Sequence, residues 1–126
     1  MPNSASTNGT FDRAEAITKA AVRAADALGL NQSKLSAALG LSPLTLRRIR
    51  SGVYSLQPGT KSWDMALLLV RLFHGLDREL AGDEQSVRTW MMNLNLELDG
   101  TPVDLIAQRD GLARVVAYVE GYNSRS

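Results

Sequence analysis

Residues 32–50 read QSKLSAALGLSPLTLRRIR and predict two short helices joined by a glycine turn. Asn31 is the expected N-cap of the first helix, and Gly40 is expected to end it. Ser42 then caps the second helix, with Pro43 at its first position. The apolar side chains expected to hold the two helices together are Leu35, Leu39, Leu46 and Ile49. The stretch therefore predicts a compact helical pair whose angle is set by the turn.

Positive charge is concentrated around this helical pair. Residues 28–63 contain no Asp or Glu, whereas residues 64–126 carry ten acids and six bases, and the whole chain has a net charge of +1. The five cations of the acid-free window are Lys34, Arg47, Arg48, Arg50 and Lys61. A polyanion is therefore expected to meet the middle of the chain and not its whole surface.

The basic turn is typical of a helix-turn-helix, which places its second helix in the major groove of DNA and its first across the phosphates. Gln32 and Ser33 begin the first helix, where N–H groups and polar side chains contact phosphate. The other residues predicted to face DNA are Ser42, Pro43, Leu44, Arg47 and Arg48. Arginine is the strongest candidate for reading bases because its fork fits guanine O6 and N7. The alternative is a solvated basic helix pair within a helical bundle.

The rest of the chain also predicts helices and no strand, so the fold class is all-α. Met1–Thr10 is polar and is expected to form a flexible tail. Further helices are predicted from about Phe11 to Leu28, from Ser62 to Leu80, from Asp83 to Leu94, from Thr101–Pro102, and from Gly111 to a stop at Gly121. Met65–Leu76 is apolar on nearly all sides, which implies either a central element that contacts both halves or a subunit interface.

Two features of the acidic half suggest a core and a partner surface. Trp90 and the leucines of the following loop are expected to pack into the core; these leucines are Leu94, Leu96 and Leu98. On the last helix, Arg114, Tyr118 and Tyr122 are four residues apart and share one face. Because Tyr and Arg often anchor interfaces, this face is a candidate partner surface. The alternative is that both tyrosines only cover the edge of a small core.

Composition argues against several classes of protein. The chain has no cysteine and one histidine, His74, and it lacks a phosphate-binding glycine motif, so neither an enzyme nor a cofactor or metal site is expected. The longest apolar run, Met65–Val70, is far shorter than the roughly 20 residues that a bilayer requires. The first ten residues do not form a signal peptide, so a cytoplasmic protein is expected.

Two segments of the sequence resemble known domains. Residues 32–52 resemble the Xre (phage-repressor-like) helix-turn-helix at the positions Gln32, Leu35, Leu39, Gly40, Ser42, Thr45, Arg48, Ile49 and Gly52. Residues 90–106 resemble the Trp…Asn…Leu…Gly…Pro signature of the Xre/MbcA/ParS toxin-binding domain, and the similarity continues through Asp110–Leu112 and Val115–Val119. With the upstream stretch Leu67–Leu72, this second resemblance covers most of residues 62–122. The chain departs from the pattern at Met92–Leu94, where a Thr-Pro step is common.

This resemblance implies an antitoxin of a type II toxin–antitoxin system, with a DNA-binding domain at residues 11–60 and a toxin-binding domain at residues 61–126. It adds Thr45 to the predicted DNA-binding residues. The predicted toxin-binding residues are Asn95, Gly100, Pro102 and Gly121, together with Arg114, Tyr118 and Tyr122 of the partner surface inferred from helix spacing. The implied partners are operator DNA, a second copy of the chain in a homodimer, and a cognate toxin that is a RES-type NAD-consuming enzyme or an ADP-ribosyltransferase-like enzyme.

Two other functions remain open on the sequence. One is a stand-alone transcriptional repressor whose acidic half only oligomerises. The other is a protein-interaction module with a helix-turn-helix that no longer binds DNA, because Pro43 and Leu44 stand where polar base-reading residues are expected.

Overall fold

The structure is a computed structural model that describes the backbone of residues 4–125 and the side chains of residues 13–122. Within that range the chain forms seven helices and no strand, which confirms the all-α prediction. In chain order the helices are α1 (Ser4–Leu28), α2 (Gln32–Leu39), α3 (Pro43–Arg50), α4 (Lys61–Glu79), α5 (Glu84–Met92), α6 (Pro102–Leu105) and α7 (Gly111–Arg125).

Helix α4 is the centre of the molecule. It packs most extensively against α7 and α1, and it also contacts α2 and α5. Its buried residues are Trp63, Ala66, Leu69, Leu72, Gly75 and Leu76. Of the two interpretations of this apolar helix, the central element is therefore the one observed. Little apolar surface of α4 is left for a second copy of the chain, because Leu67 is its one large apolar side chain that counts as exposed, at 36%.

One continuous core joins the two halves of the chain. It contains Leu35 and Leu46 from the helix-turn-helix together with Met91 and Val115 from the acidic half, and all four are fully buried. At the surface, Arg71 of α4 donates hydrogen bonds of 3.0 Å and 2.5 Å to the carboxylate of Glu120 on α7. The helix-turn-helix is thus fixed to the acidic half by shared packing around α4.

Helix α1 begins earlier than predicted. It starts at Ser4 and not near Phe11, so residues 4–10 of the expected flexible tail continue the helix, and residues 1–3 lie outside the described residues. The packed part of α1 contains the buried residues Ala21, Ala25 and Leu28. Once this part is helical, each added residue extends the helix without a new nucleation step, which explains the longer α1.

Several helices end in the same hydrogen-bonded turn, with one residue in the left-handed conformation. At the end of α2, Gly40 has φ 70°, and the next amide, that of Leu41, donates to the Ser36 carbonyl at 3.0 Å. The end of α4 has the same pattern, with Gly82 N donating to Asp77 O at 2.8 Å, but the left-handed residue is Ala81, at φ 56°. Only glycine adopts this conformation without a steric cost, so Ala81 is strained.

We expect Ala81→Gly to stabilise the protein by about 1 kcal/mol, because it removes the contact between the alanine Cβ and its own backbone. Urea unfolding followed by circular dichroism measures this as a higher midpoint at an unchanged m value. The matched control is Gly40→Ala, where the added Cβ meets no atom within 4 Å, so only backbone strain acts. Gly40→Ala should lower stability by a similar amount. Equal midpoints for all three proteins would contradict the prediction.

The loop after α5 differs from the prediction that its leucines are core residues. Leu98 is buried at 2% exposure, but Leu94 is 66% and Leu96 is 84% exposed, and Trp90 is half-buried. The loop closes on itself because Asn95 and Gly100 exchange backbone hydrogen bonds of 2.9 Å and 3.2 Å. Leu94 precedes this closed turn, and of the two leucines within it only Leu98 reaches the core. The prediction is therefore wrong for Leu94 and Leu96.

Helix α7 also differs from the prediction, because Gly121 does not end it. The helix runs from Gly111 to Arg125. A glycine inside a helix costs about 1 kcal/mol relative to alanine. The buried side chains of Leu112, Val115 and Val119 hold the helix on α4 and offset that cost.

Candidate functional site

The helix-turn-helix forms as the sequence predicts. Asn31 Oδ1 accepts a hydrogen bond of 2.8 Å from Lys34 N at the start of α2. Ser42 Oγ accepts one of 3.1 Å from Thr45 N at the start of α3, and it donates to Thr45 Oγ1 at 3.0 Å. The apolar residues between the helices are all buried: Leu35, Leu39, Leu46 and Ile49. Ser42 and Thr45 therefore fix the start of α3 through their own hydrogen bonds.

The outward face of α3 carries most of the residues predicted to contact DNA. Ser42, Pro43, Leu44, Arg47 and Arg48 are exposed, and Thr45 is half-buried. Gln32 and Ser33, at the start of α2, are also exposed. Leu44 is 48% exposed and so is not an internal packing residue. The structure thus brings these residues together at the two helix starts and along α3.

The five cations of the acid-free window are not equivalent. Arg50 donates to Gln32 Oε1 at 2.7 Å and to Asp26 Oδ1 at 3.2 Å, which places the Gln32 side chain against α3. Lys34 Nζ lies 2.7 Å from Asp104 Oδ1 of α6. The guanidinium groups of Arg47 and Arg48 form no ion pair with residues 13–122. Lys61, at the start of α4, is exposed and also forms no ion pair with residues 13–122. Two of the three unpaired cations of the window therefore lie on α3.

In the acidic half, the face predicted from Arg114, Tyr118 and Tyr122 does form, but its side chains contact the loop after α5. Both tyrosine hydroxyls donate to Glu97 Oε1, at 2.6 Å from Tyr118 and 2.7 Å from Tyr122. Arg114 donates to the carbonyl of Leu98. Burial, and then the hydrogen bond to Glu97, raise the pKa of Tyr118 above its ordinary value, so its hydroxyl remains a donor. These residues position the loop.

Aromatic contacts extend this arrangement to α5. The Trp90 and Tyr118 rings are stacked with centroids 6.4 Å apart, and the Tyr118 and Tyr122 rings meet edge to face at 5.1 Å. Gly121 lies between the tyrosines and is half-buried, and a Cβ added to it would meet no atom within 4 Å. Close packing therefore does not require glycine at this position.

The remaining predicted residues shape the loop and the turn that follows it. Asn95 Oδ1 accepts a 3.1 Å hydrogen bond from Leu98 N. A Cβ on Gly100 would lie 2.9 Å from Leu105 Cδ2, so the chain passes close to α6 here. Pro102 is buried at the first position of α6. The structure thus gives these three residues local roles in the shape of the loop.

Sequence reasoning missed Asp26, Asp104 and Glu97. Each holds a residue that the prediction had singled out, through contacts made 21 to 70 residues away along the chain. No spacing signal marks such pairs. The exposed Leu94 and Leu96 were also missed, because alternating leucines do not reveal which of them lies outside.

No group of three or more His, Cys, Asp or Glu side chains in the described part of the chain is placed to hold a metal ion. None of the helices in that part is long and apolar enough to cross a bilayer.

The fold defines an all-α protein in which a helix-turn-helix shares one core with a second helical unit. Residues 10–71 match the family model of the antitoxin Xre-like helix-turn-helix domain, and residues 78–124 match that of the antitoxin Xre/MbcA/ParS C-terminal toxin-binding domain. No curated protein matches the chain. Together the two family matches span most of the sequence, and the chain belongs to the Xre/MbcA/ParS-type antitoxins.

Both matched segments include part of α4. The first ends at residue 71 and the second begins at residue 78, so the central helix is shared between them. The ion pair of Lys34 with Asp104 joins the two matched segments at the surface. The helix-turn-helix and the toxin-binding domain are therefore in direct contact.

Proposed function

We propose that this antitoxin binds and occludes a RES-type NAD-consuming toxin and represses its own operon through α2 and α3. The observation that carries the proposal is the presence of an antitoxin toxin-binding domain and a basic helix-turn-helix on one shared core. The protein acts in the cytoplasm by binding, without chemistry of its own. The RES type of the toxin is inferred from the resemblance of residues 90–119 to the family signature.

The DNA-binding part of the proposal is supported by the charge and exposure of α3. Arg47 and Arg48 are exposed and form no ion pair with residues 13–122, and Ser42 fixes the helix start beside them. We propose that Arg47 and Arg48 read bases while Gln32, Ser33, Ser42 and Thr45 contact phosphates. Pro43 and Leu44 supply apolar contact, for which a thymine methyl is the fitting partner.

We also propose that the antitoxin binds two operator half-sites as a homodimer, as helix-turn-helix repressors commonly do. The large apolar side chains of α4 other than Leu67 are buried or half-buried within one chain. The dimer contact is therefore expected largely outside α4.

The experiment that tests the proposed function is co-expression with the product of the adjacent gene. The adjacent gene alone should arrest growth, and co-expression should relieve the arrest and yield a complex that copurifies. A mobility-shift assay on the promoter fragment of the operon tests repression separately. A promoter shift without relief of growth arrest would favour a stand-alone repressor, and relief without a shift would favour a pure interaction module.

A further inference from the structure

Three large apolar side chains within five residues lie outside the core of the toxin-binding domain. Met92 is 60% exposed, Leu94 is 66% exposed and Leu96 is 84% exposed. Single exposed leucines are common, but several large apolar side chains exposed close together usually mark an interaction site. We call these three residues the leucine knob.

Hydrogen bonds hold the loop that directly follows Leu94 and carries Leu96. Beneath it, Leu98 is buried, and Asn95 pairs with Gly100 through two backbone hydrogen bonds. Glu97, between Leu96 and Leu98, accepts hydrogen bonds from the hydroxyls of Tyr118 and Tyr122 on α7. A surface ordered before binding loses less conformational entropy when a partner covers it. These polar contacts therefore prepare the exposed leucines for docking.

The surroundings of the knob indicate the chemistry of its partner. A shallow hollow beside Leu94 contains the apolar side chains of Leu80 and Trp90, and polar residues line the rest of it: Gln85, Ser86, Thr89, Asn93 and Asn95. Exposed carboxylates flank it at Glu97 and Asp99. Phosphates would be repelled by these carboxylates, so the fitting occupant is a protein with an apolar cleft and a basic rim.

We propose that the leucine knob, and not the Arg114–Tyr118–Tyr122 face, is the surface that inserts into the toxin. This inference rests on the proposed function. Both surfaces lie inside residues 78–124, the segment that matches the toxin-binding domain, but the polar groups of the α7 face are bonded to the loop whereas the knob side chains are exposed. Tyr118 and Tyr122 are then positioning residues, which act on the toxin through Glu97 and the loop.

The test compares two double variants of the full-length antitoxin by calorimetric titration with the purified product of the adjacent gene. Leu94→Ser with Leu96→Ser should weaken binding by at least about 30-fold, the loss typical of central interface residues. The control, Val53→Ser with Tyr54→Ser, removes two exposed apolar side chains outside residues 78–124 and should bind like the unmodified protein. Thermal unfolding and the promoter shift should be unchanged in the knob variant.

A further variant separates positioning from direct contact. Tyr118→Phe with Tyr122→Phe removes both hydrogen bonds to Glu97 but leaves every knob side chain in place. It should weaken toxin binding by about 3- to 10-fold, because the loop must then be ordered at the moment of binding. If this variant lost more toxin affinity than the knob variant, the assignment would be wrong and the interface would lie on α7.

The remaining outcomes distinguish the inference from the proposed function. If the unmodified protein binds the adjacent gene product and the knob variant binds within about 3-fold of it, the knob is not the toxin-binding surface and the proposed function stands. If the unmodified protein does not bind, the proposed function itself fails. Sedimentation tests whether a second copy of the chain covers the knob instead of the toxin. A knob variant that becomes monomeric but still binds the toxin would assign the knob to contact between copies and would contradict the proposal.

Discussion

Gly111→Ala is expected to destabilise the antitoxin by about 3 kcal/mol or more, because the new side chain has no space. A Cβ at this position would lie 1.7 Å from the carbonyl oxygen and 2.7 Å from the carbonyl carbon of Leu105. These are backbone atoms of α6, so they cannot turn away as a side chain does. Relief of the overlap requires α6 and α7 to separate, which exposes the buried residues between them.

The close approach of Gly111 to Leu105 is part of a continuous backbone turn between α6 and α7. Gly111 N donates to the Gln108 carbonyl at 3.0 Å, and Asp110, just before it, has φ 62°. Urea unfolding followed by circular dichroism measures the loss as a lower midpoint. Toxin binding should fall with it, because the turn supports the domain that includes Pro102 and the start of α7.

Gly121→Ala is the matched control on the same helix. A Cβ there would meet no atom within 4 Å, and alanine is favoured over glycine in a helix. This variant should raise stability by about 0.5–1 kcal/mol. If the two substitutions shifted the midpoint equally, the close contact of Gly111 with Leu105 would be incorrect. The control also tests the sequence prediction that Gly121 contacts the toxin, because unchanged toxin affinity would remove that role.

The helices of this protein could be predicted because their signals are local. Asn31 and Ser42 each accept a hydrogen bond from an amide three residues later, so their roles are fixed by neighbours in the sequence. Gly40 ends α2 for an equally local reason, since it adopts a positive φ. The same reasoning placed Gly121 at the end of α7, which was wrong because packing on α4 carries the helix past it.

The arrangement of the candidate site could not be predicted to the same extent, because it depends on contacts between distant residues. Arg50 belongs to the basic window by sequence, yet its charge is offset by Asp26, 24 residues earlier. Leu96 and Leu98 are equally apolar, and only the closed turn between Asn95 and Gly100 decides which of the two is buried. The sequence gives the charge and polarity of each side chain, but the fold determines which partner neutralises or covers it.

This distinction leads to a specific expectation for the basic window. Of its five cations, Lys34 and Arg50 are paired with carboxylates, whereas Arg47, Arg48 and Lys61 form no ion pair with residues 13–122. Only the two arginines of the unpaired set lie on α3. Replacing Arg47 and Arg48 together by alanine should therefore weaken operator binding by about 100-fold or more, since each bidentate contact with guanine contributes about 1–3 kcal/mol. Fluorescence anisotropy on the promoter fragment measures the loss.

The salt dependence of the same titration shows whether the two arginines contact bases or phosphates. If both arginines contact phosphates, the slope of log affinity against log salt should become shallower by about 2, because each phosphate contact contributes about 0.9. If they read bases, specific affinity should fall while the affinity for an unrelated duplex changes little. The charge-matched control is Arg13→Ala with Arg78→Ala, two exposed arginines outside the acid-free window.

The variant that lacks both Arg47 and Arg48 should still bind the toxin, because these residues belong to α3 and the toxin-binding match begins at residue 78. Stability should also be retained, since both side chains are exposed and form no ion pair with residues 13–122. A folded double variant with unchanged operator affinity and salt slope would place the DNA-binding surface away from α3. A variant that no longer binds the operator but still binds the toxin would show that the two binding activities can be separated although they share one core.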